Sequence, residues 1–162
     1  MVLNTDGAGK GNLGPADAGE VLRNDKGEWI IGFSEYLEHC SAMTAELKAV
    51  LRGLRIAKEM GTQKVWFRLD SSVLVGMLTD HKHGHPEYQF LLQRCKQLLK
   101  LADWEVKITH CFRETNRVAD KLASLGATGR LGVEIYRVPP MEALDVLYAD
   151  NMGVLWPRQI RS

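Results

Sequence analysis

Four carboxylates, Asp6, Glu46, Asp70 and Asp120, stand at places where an element ends or borders a buried stripe. Asp6 closes an opening strand beside Gly7, and Asp70 ends a later strand after Leu69. Glu46 shares one side of a helix with Ala49, Val50 and Gly53, and Asp120 sits among Val118, Ala119 and Leu122. Gathered at one end of a sheet, four such groups repel, and some are pushed towards protonation unless a counter-charge arrives. A divalent cation resolves this. An all-oxygen donor set with no Cys or His suits Mg²⁺, or Mn²⁺ as a substitute, better than zinc. Two such ions about 4 Å apart can activate a water and stabilise the leaving oxygen of an in-line phosphodiester displacement. Each acid taken alone has a simpler reading as a solvated surface charge, so the elements that place them carry the argument.

The first of these elements is a hairpin. Gly19 to Arg23 and Trp29 to Leu37 flank Asn24-Asp25-Lys26-Gly27, a turn cluster whose Gly can take positive φ. After Ser41 the hydrophobic period lengthens from two to about 3.6. Leu47, Val50, Leu51 and Leu54 then predict a helix over 42–60, capped by Ser41 and stopped at Gly61. Val65, Phe67 and Leu69 alternate as a strand, and Ser71-Ser72 opens a short helix through Leu78. Pro86 starts a helix with the stripe Tyr88, Leu91, Leu92, Cys95 and Leu99. Trp104, Val106 and Ile108 alternate as a last strand, and Val118, Ala119, Leu122 and Leu125 mark a last helix. This order predicts a mixed α/β sheet with helices on its faces. Beyond Ala127 the pattern weakens. Gly129, Gly132, Pro139, Pro140 and Pro157 punctuate a tail with one amphipathic candidate, Met141 to Tyr148.

At 162 residues, 45% of them hydrophobic and 25% charged, the chain has material for one domain with a real core. No apolar run approaches the roughly 20 residues that span a bilayer, so no membrane partner is expected. Met1 to Lys10 is polar and Gly-rich, without a charged start followed by an apolar block, so secretion is not expected. Cys40, Cys95 and Cys111 are odd in number and widely spaced, and read as reduced packing residues. An intracellular setting, nuclear or cytoplasmic, follows from both. The 21 Lys and Arg nearly cancel the 20 Asp and Glu, so any grip on a polyanion must come from a local site. Gly7, Gly9, Gly11 and Gly14 around Lys10 lack the spacing and the Ser or Thr of a phosphate loop. His81, His83 and His85 precede Pro86 in a loop and read as exposed side chains rather than metal ligands. Trp29, Trp66 and Trp104 read as core aromatics by strand position, while Trp156, beside Arg158 and Arg161, could also contact a partner.

The order of the segments is more specific than any of them. Asp6-Gly7-Ala8 and Gly11-Asn12-Leu13-Gly14-Pro15 come first, then Thr44-Ala45-Glu46-Leu47 and Leu69-Asp70-Ser71. Asn116-Arg117-Val118-Ala119-Asp120-Lys121-Leu122-Ala123 follows. Together they resemble type 1 ribonuclease H. The segment from His110 to Asn116 and the tail from Ala149 to Arg158 are similar to the ribonuclease H-like domains of plant non-LTR retrotransposon polyproteins. The resemblance covers residues 1–126 and leaves 127–162 as a partly irregular C-terminal extension. It implies a five-stranded mixed sheet, strands one to three antiparallel and strands four and five parallel to strand one, with helices on both faces. It further implies a monomeric endonuclease that cuts the RNA strand of RNA/DNA hybrids, with a reverse transcriptase domain of the same polyprotein as a partner. Asp6, Glu46, Asp70 and Asp120 would hold two Mg²⁺ ions. Asn12 matches a position that touches the RNA strand, where 2′-hydroxyl contacts distinguish RNA from DNA. Ser41, Ser72 and Asn116 fall at substrate-facing motif positions.

Two assignments stay open. His110 aligns with a mobile histidine that assists product release or proton transfer, yet it also continues the Trp104, Val106, Ile108 alternation and could turn into the core. Arg113, seven positions before Asp120, competes for that assisting role if the last helix starts early. Two departures from the family pattern bear on substrate grip. Ser41-Ala42-Met43-Thr44 stands where relatives carry paired Asn residues, and only His81, Lys82, His83 and His85 replace a basic protrusion. Weak, salt-sensitive substrate binding is expected. Two alternatives remain: a catalytically inactive nucleic-acid-binding remnant, and a DNA nuclease or resolvase of the same fold.

Overall fold

The hairpin forms around one asparagine. Asn24 Oδ1 accepts hydrogen bonds from the backbone N–H groups of Lys26 at 3.0 Å and Glu28 at 2.9 Å, and Gly27 takes a φ of 81°. This turn folds β2 (Pro15–Arg23) back on β3 (Trp29–His39). The computed structural model describes residues 1–9, 15–79, 86–126 and 132–151. β1 (Val2–Gly9) pairs antiparallel with β2 and parallel with β4 (Lys64–Leu69), which pairs parallel with β5 (Glu105–His110). Every expected strand and orientation is present.

Strand alternation divides the core in two, because neighbouring residues point to opposite faces. Leu22 joins the larger cluster and its neighbour Val21 the smaller one. On the larger side, α1 (Ala42–Glu59) lays Leu47, Val50, Leu51 and Leu54 with Leu3, Phe67 and Leu69. α2 (Ser72–Thr79) and α3 (Gln89–Leu99) add Leu74, Met77 and Leu92. Truncating one such buried leucine to alanine would cost about 2–5 kcal/mol. On the smaller side, α4 (Arg117–Gly126) and α5 (Leu144–Asn151) bring Val118, Ala119, Leu122 and Leu147 against Val21.

The sheet has six strands rather than five, in the order β5-β4-β1-β2-β3-β6. The sixth, β6 (Gly132–Tyr136), comes from beyond residue 126 and pairs antiparallel with β3. An edge strand presents a row of free N–H and C=O groups that a returning segment can satisfy. Trp29 pins the junction, donating from Nε1 to the Tyr136 carbonyl at 3.0 Å.

Trp66 corrects the expectation of a core aromatic. It is 40% exposed on β4, hydrogen-bonded to Thr109 Oγ1, with Arg68 and Lys107 over its ring at 5.0 and 5.3 Å. Among the described residues α4 and α5 pack on that side, against Val21 of β2, and the alternation that buries Val65 and Phe67 turns Trp66 outward. Cys40, Cys95 and Cys111 are buried and unpaired, as read from their spacing. Among the described residues, no helix is long and apolar enough to cross a membrane.

Candidate active site

Parallel pairing sets the first two acids side by side. Thr5 lies opposite Leu69 in the β1–β4 ladder, so the next residues, Asp6 and Asp70, stand together where β4 ends. Glu46 is delivered by contact between α1 and β1. A Cβ built at Gly7 would land on the backbone of Ala45 and Glu46, so only glycine lets the first turns of α1 approach so closely. Ser41 holds that helix end, its Oγ accepting from the Thr44 N–H at 3.2 Å and donating to Thr44 Oγ1 at 2.9 Å. As a result Asp6, Glu46 and Asp70 each offer an oxygen, all within 4.8 Å of one another.

The crowding is costly to the charged forms. Burial pushes the Asp6 carboxyl up to about 8, helped by the charge of Asp70, a side-chain hydrogen bond with Asp120, and the charges of Asp120 and Glu46. Burial and the Asp70 charge push Glu46 up to about 7, with a Ser71 hydrogen bond opposing them. Asp70 is also raised by burial, but Asn116 and the Arg113 charge hold it down. Among the described residues, none of the three carboxylates forms a salt bridge. Clustered acidic oxygens without a paired cation fit a hard divalent metal ion. The cluster can hold one.

The other expected residues divide. Asp120 lies on α4, exposed, and reaches Asp6 without joining the 4.8 Å trio. His110 is exposed at the end of β5, opposite Leu69, with Nε2 3.2 Å from the Asp70 carbonyl oxygen and its ring edge-on to Phe112 at 5.5 Å. The inward, core orientation is therefore set aside. Arg113 does not extend α4 backwards: it sits exposed in a separate 3-10 turn, Arg113–Thr115, from which its charge acts on Asp70. Ser41 is half-buried and engaged in capping, and Ser72 is exposed at the start of α2. Ser71 instead faces the pocket, hydrogen-bonded to Glu46 and capping α2 by accepting from the Leu74 N–H at 3.2 Å. Asn12, His81 to His85, and Trp156 to Arg161 lie outside the described residues.

Asn116 corrects a second expectation. It is 1% exposed, and its side chain is committed within the protein. Nδ2 donates to the Thr5 carbonyl at 2.9 Å and to Asp70 Oδ2 at 3.4 Å, while Oδ1 accepts from Asn4 Nδ2 at 3.0 Å. The side chain is turned to Asp70 and the strand β1 rather than to the surface. Asn4 was not singled out by sequence reading, because a polar residue inside a strand pattern gives no local sign of a partner 112 positions away.

Residues 4–126 match the family described as Reverse transcriptase-like. Over 160 residues, 98% of this chain, the sequence is 41% identical to a protein of Arabidopsis thaliana described as a candidate ribonuclease H protein, and it spans 26% of that protein. Ribonuclease HI of Halobacterium salinarum is 32% identical over 121 residues, 74% of this chain and 60% of that protein. The chain thus spans less than two-thirds of either relative. The crystal structure of ribonuclease H1 from the same halophilic archaeon matches with a TM-score of 0.72 at 29% identity, covering 77% of this chain and 95% of that one. LC11 ribonuclease H1, solved in complex with an RNA/DNA hybrid, matches with a TM-score of 0.72 at 26% identity, covering 78% and 95%. The family match over residues 4–126 and these likenesses show that the chain belongs to the reverse transcriptase-like family and carries a ribonuclease H-like domain.

Proposed function

We propose that this domain is a metal-dependent endonuclease that hydrolyses the RNA strand of RNA/DNA hybrids. The observation that carries the reading is the convergence of Asp6, Glu46 and Asp70, from three separate elements, to within 4.8 Å on a ribonuclease H-like sheet. The names of the Arabidopsis and Halobacterium relatives and the hybrid bound to LC11 ribonuclease H1 support it.

In this reading Asp6, Glu46, Asp70 and Asp120 would hold two Mg²⁺ ions. Bound divalent ions supply charge neutralisation at phosphorus and a water of lowered pKa. The protein's own groups prepare the site. Asn116 holds one Asp70 oxygen by donating to it, and Ser71 does the same for Glu46. His110 and Arg113 border Asp70 from the exposed side, where either can meet the departing phosphate. The products are a 5′-phosphate and a 3′-hydroxyl. A reverse transcriptase domain of a longer retroelement polyprotein is the proposed partner, in keeping with the family match and the 26% span of the Arabidopsis protein. The unpaired buried cysteines support a reducing, intracellular setting.

The test is cleavage of matched RNA/DNA, RNA/RNA and DNA/DNA duplexes with and without Mg²⁺. The expected outcome is cut RNA in the hybrid alone, and only with metal. Cleavage of duplex DNA points to a resolvase-like enzyme, and binding without cleavage points to an inactive remnant.

A further inference from the structure

The asparagine behind Asp70 is the last link of a longer chain that begins on α5. Asp150 Oδ2 accepts from Arg23 Nη1 at 3.1 Å. The other arm of that guanidinium, Nη2, donates to Asn4 Oδ1 at 3.1 Å. Asn4 Nδ2 donates to Asn116 Oδ1 at 3.0 Å, and Asn116 Nδ2 reaches Asp70 Oδ2 at 3.4 Å. The links come from α5, β2, β1, the residue before α4 and the end of β4. Arg23 is 8% exposed and both asparagines 1%, so water competes little for these bonds.

Such a chain has a direction. A guanidinium can only donate, so Arg23 compels Asn4 to turn its oxygen towards it and its NH₂ away. Asn116 then accepts through its oxygen and presents its own NH₂ to Asp70 and to the Thr5 carbonyl, which favours the same orientation. With both amides reversed, a carbonyl oxygen would face the Asp70 carboxylate, and Asn4 would set its NH₂ against the cation. Buried groups left unpaired lose their hydration without compensation, so an error at one link is felt at the next. Asp150 anchors the end of the chain by fixing the arm of Arg23 that does not face Asn4.

We infer that α5 belongs to the positioning machinery of the active site: Asp150 and Arg23 set the amide direction of Asn4 and Asn116, and thereby orient the Asp70 carboxylate. Asp150, Arg23 and Asn4 are positioning residues, since none of them lies in the acidic trio. The inference deepens the proposed nuclease function and rests on it for the meaning of Asp70.

The test uses the full chain, with kcat and KM on an RNA/DNA hybrid in saturating Mg²⁺ and Mn²⁺ affinity by calorimetry. Asp150→Ala is expected to lower kcat and Mn²⁺ affinity about tenfold, the scale on which outer-shell partners act, with KM for the hybrid unchanged. Asp150→Asn, which keeps an acceptor oxygen, should recover most of the loss. In an Asn116→Ala background the relay is already cut, so adding Asp150→Ala should cost nothing more. Unchanged kcat and Mn²⁺ affinity in Asp150→Ala, or a loss that adds in full to that of Asn116→Ala, overturns the inference. Should Asp150→Ala fail to fold, Asn4→Asp keeps the Arg23 contact but cannot donate to Asn116, and must show the same loss. If the wild-type chain leaves hybrids intact while Mn²⁺ affinity still falls in Asp150→Ala, the relay stands and the nuclease reading fails.

Discussion

Glu20 of β2 is fully buried beside Glu35 of β3, and α1 answers with Arg52, which donates to Glu35 through Nε at 3.2 Å and Nη2 at 2.8 Å. At the N-terminal end of the same helix, Asp6, Glu46 and Asp70 crowd within 4.8 Å and receive no such partner among the described residues. Both regions hold carboxyl groups against their preference for water. In the first, burial and the Glu35 charge raise the Glu20 carboxyl well above its ordinary range, with Arg52 opposing. Among the described residues its oxygens have no hydrogen-bond partner. In the second, no such side chain stands among the described residues, and a bound divalent cation would relieve the cost.

Exchanging charges tests that contrast most severely. Asp70→Asn removes one of the three clustered carboxylates and, on the proposed function, should abolish hybrid cleavage while far-ultraviolet circular dichroism stays that of the wild type. Retained turnover with full metal dependence would show that the pocket is a second packing cluster. Next comes the contact that delivers Glu46. Gly7→Ala sets a methyl group on the α1 backbone, and overpacking of this kind costs about 1–3 kcal/mol. Denaturant midpoints should fall, and activity should fall further than stability because Glu46 shifts with the helix.

The third prediction concerns pH. Asp6 moves from an ordinary 3.8 to about 8 in the folded chain, and Glu46 from 4.5 to about 7. The folded state then binds protons more tightly than the unfolded state, so these groups cost stability as pH rises through that window. The Tm of metal-free protein should decline between pH 5 and about 8, and saturating Mg²⁺ should flatten the decline. A metal-free Tm that rises across the same range, tracked by calorimetry, would contradict the electrostatic account. The smallest effect belongs to the other cluster. Glu20→Gln, which keeps the shape of the side chain, should change stability by less than about 1.5 kcal/mol and leave kcat unaltered.

The parts of this fold that were legible in the sequence are those whose cause is local. The stripe Leu47, Val50, Leu51 and Leu54 is a helical period, and it is buried as its spacing requires. Ser41 and Gly61 mark the ends of that helix by a side-chain cap and a φ of 73°. The three clustered acids were legible because ribonuclease H motifs fix their order along the chain. β6 was not, since the five residues Gly132–Tyr136 become a strand only when the edge of β3 is present. Trp66 misled because its place in a strand suggested the core, although the alternation of Val65, Phe67 and Leu69 sets it on the opposite side. The relay through Asn4 and Arg23 links residues as far as 127 positions apart, and no spacing rule reaches that far.

Calorimetric titration of the metal-free chain with Mg²⁺, run in two buffers of different ionisation heat, bears most directly on the acidic pocket. The account predicts saturable binding that releases protons from Asp6 and Glu46, tightens as pH rises towards 8, and is lost in Asp70→Asn. Binding that releases no protons, or that persists unchanged in Asp70→Asn, would contradict it.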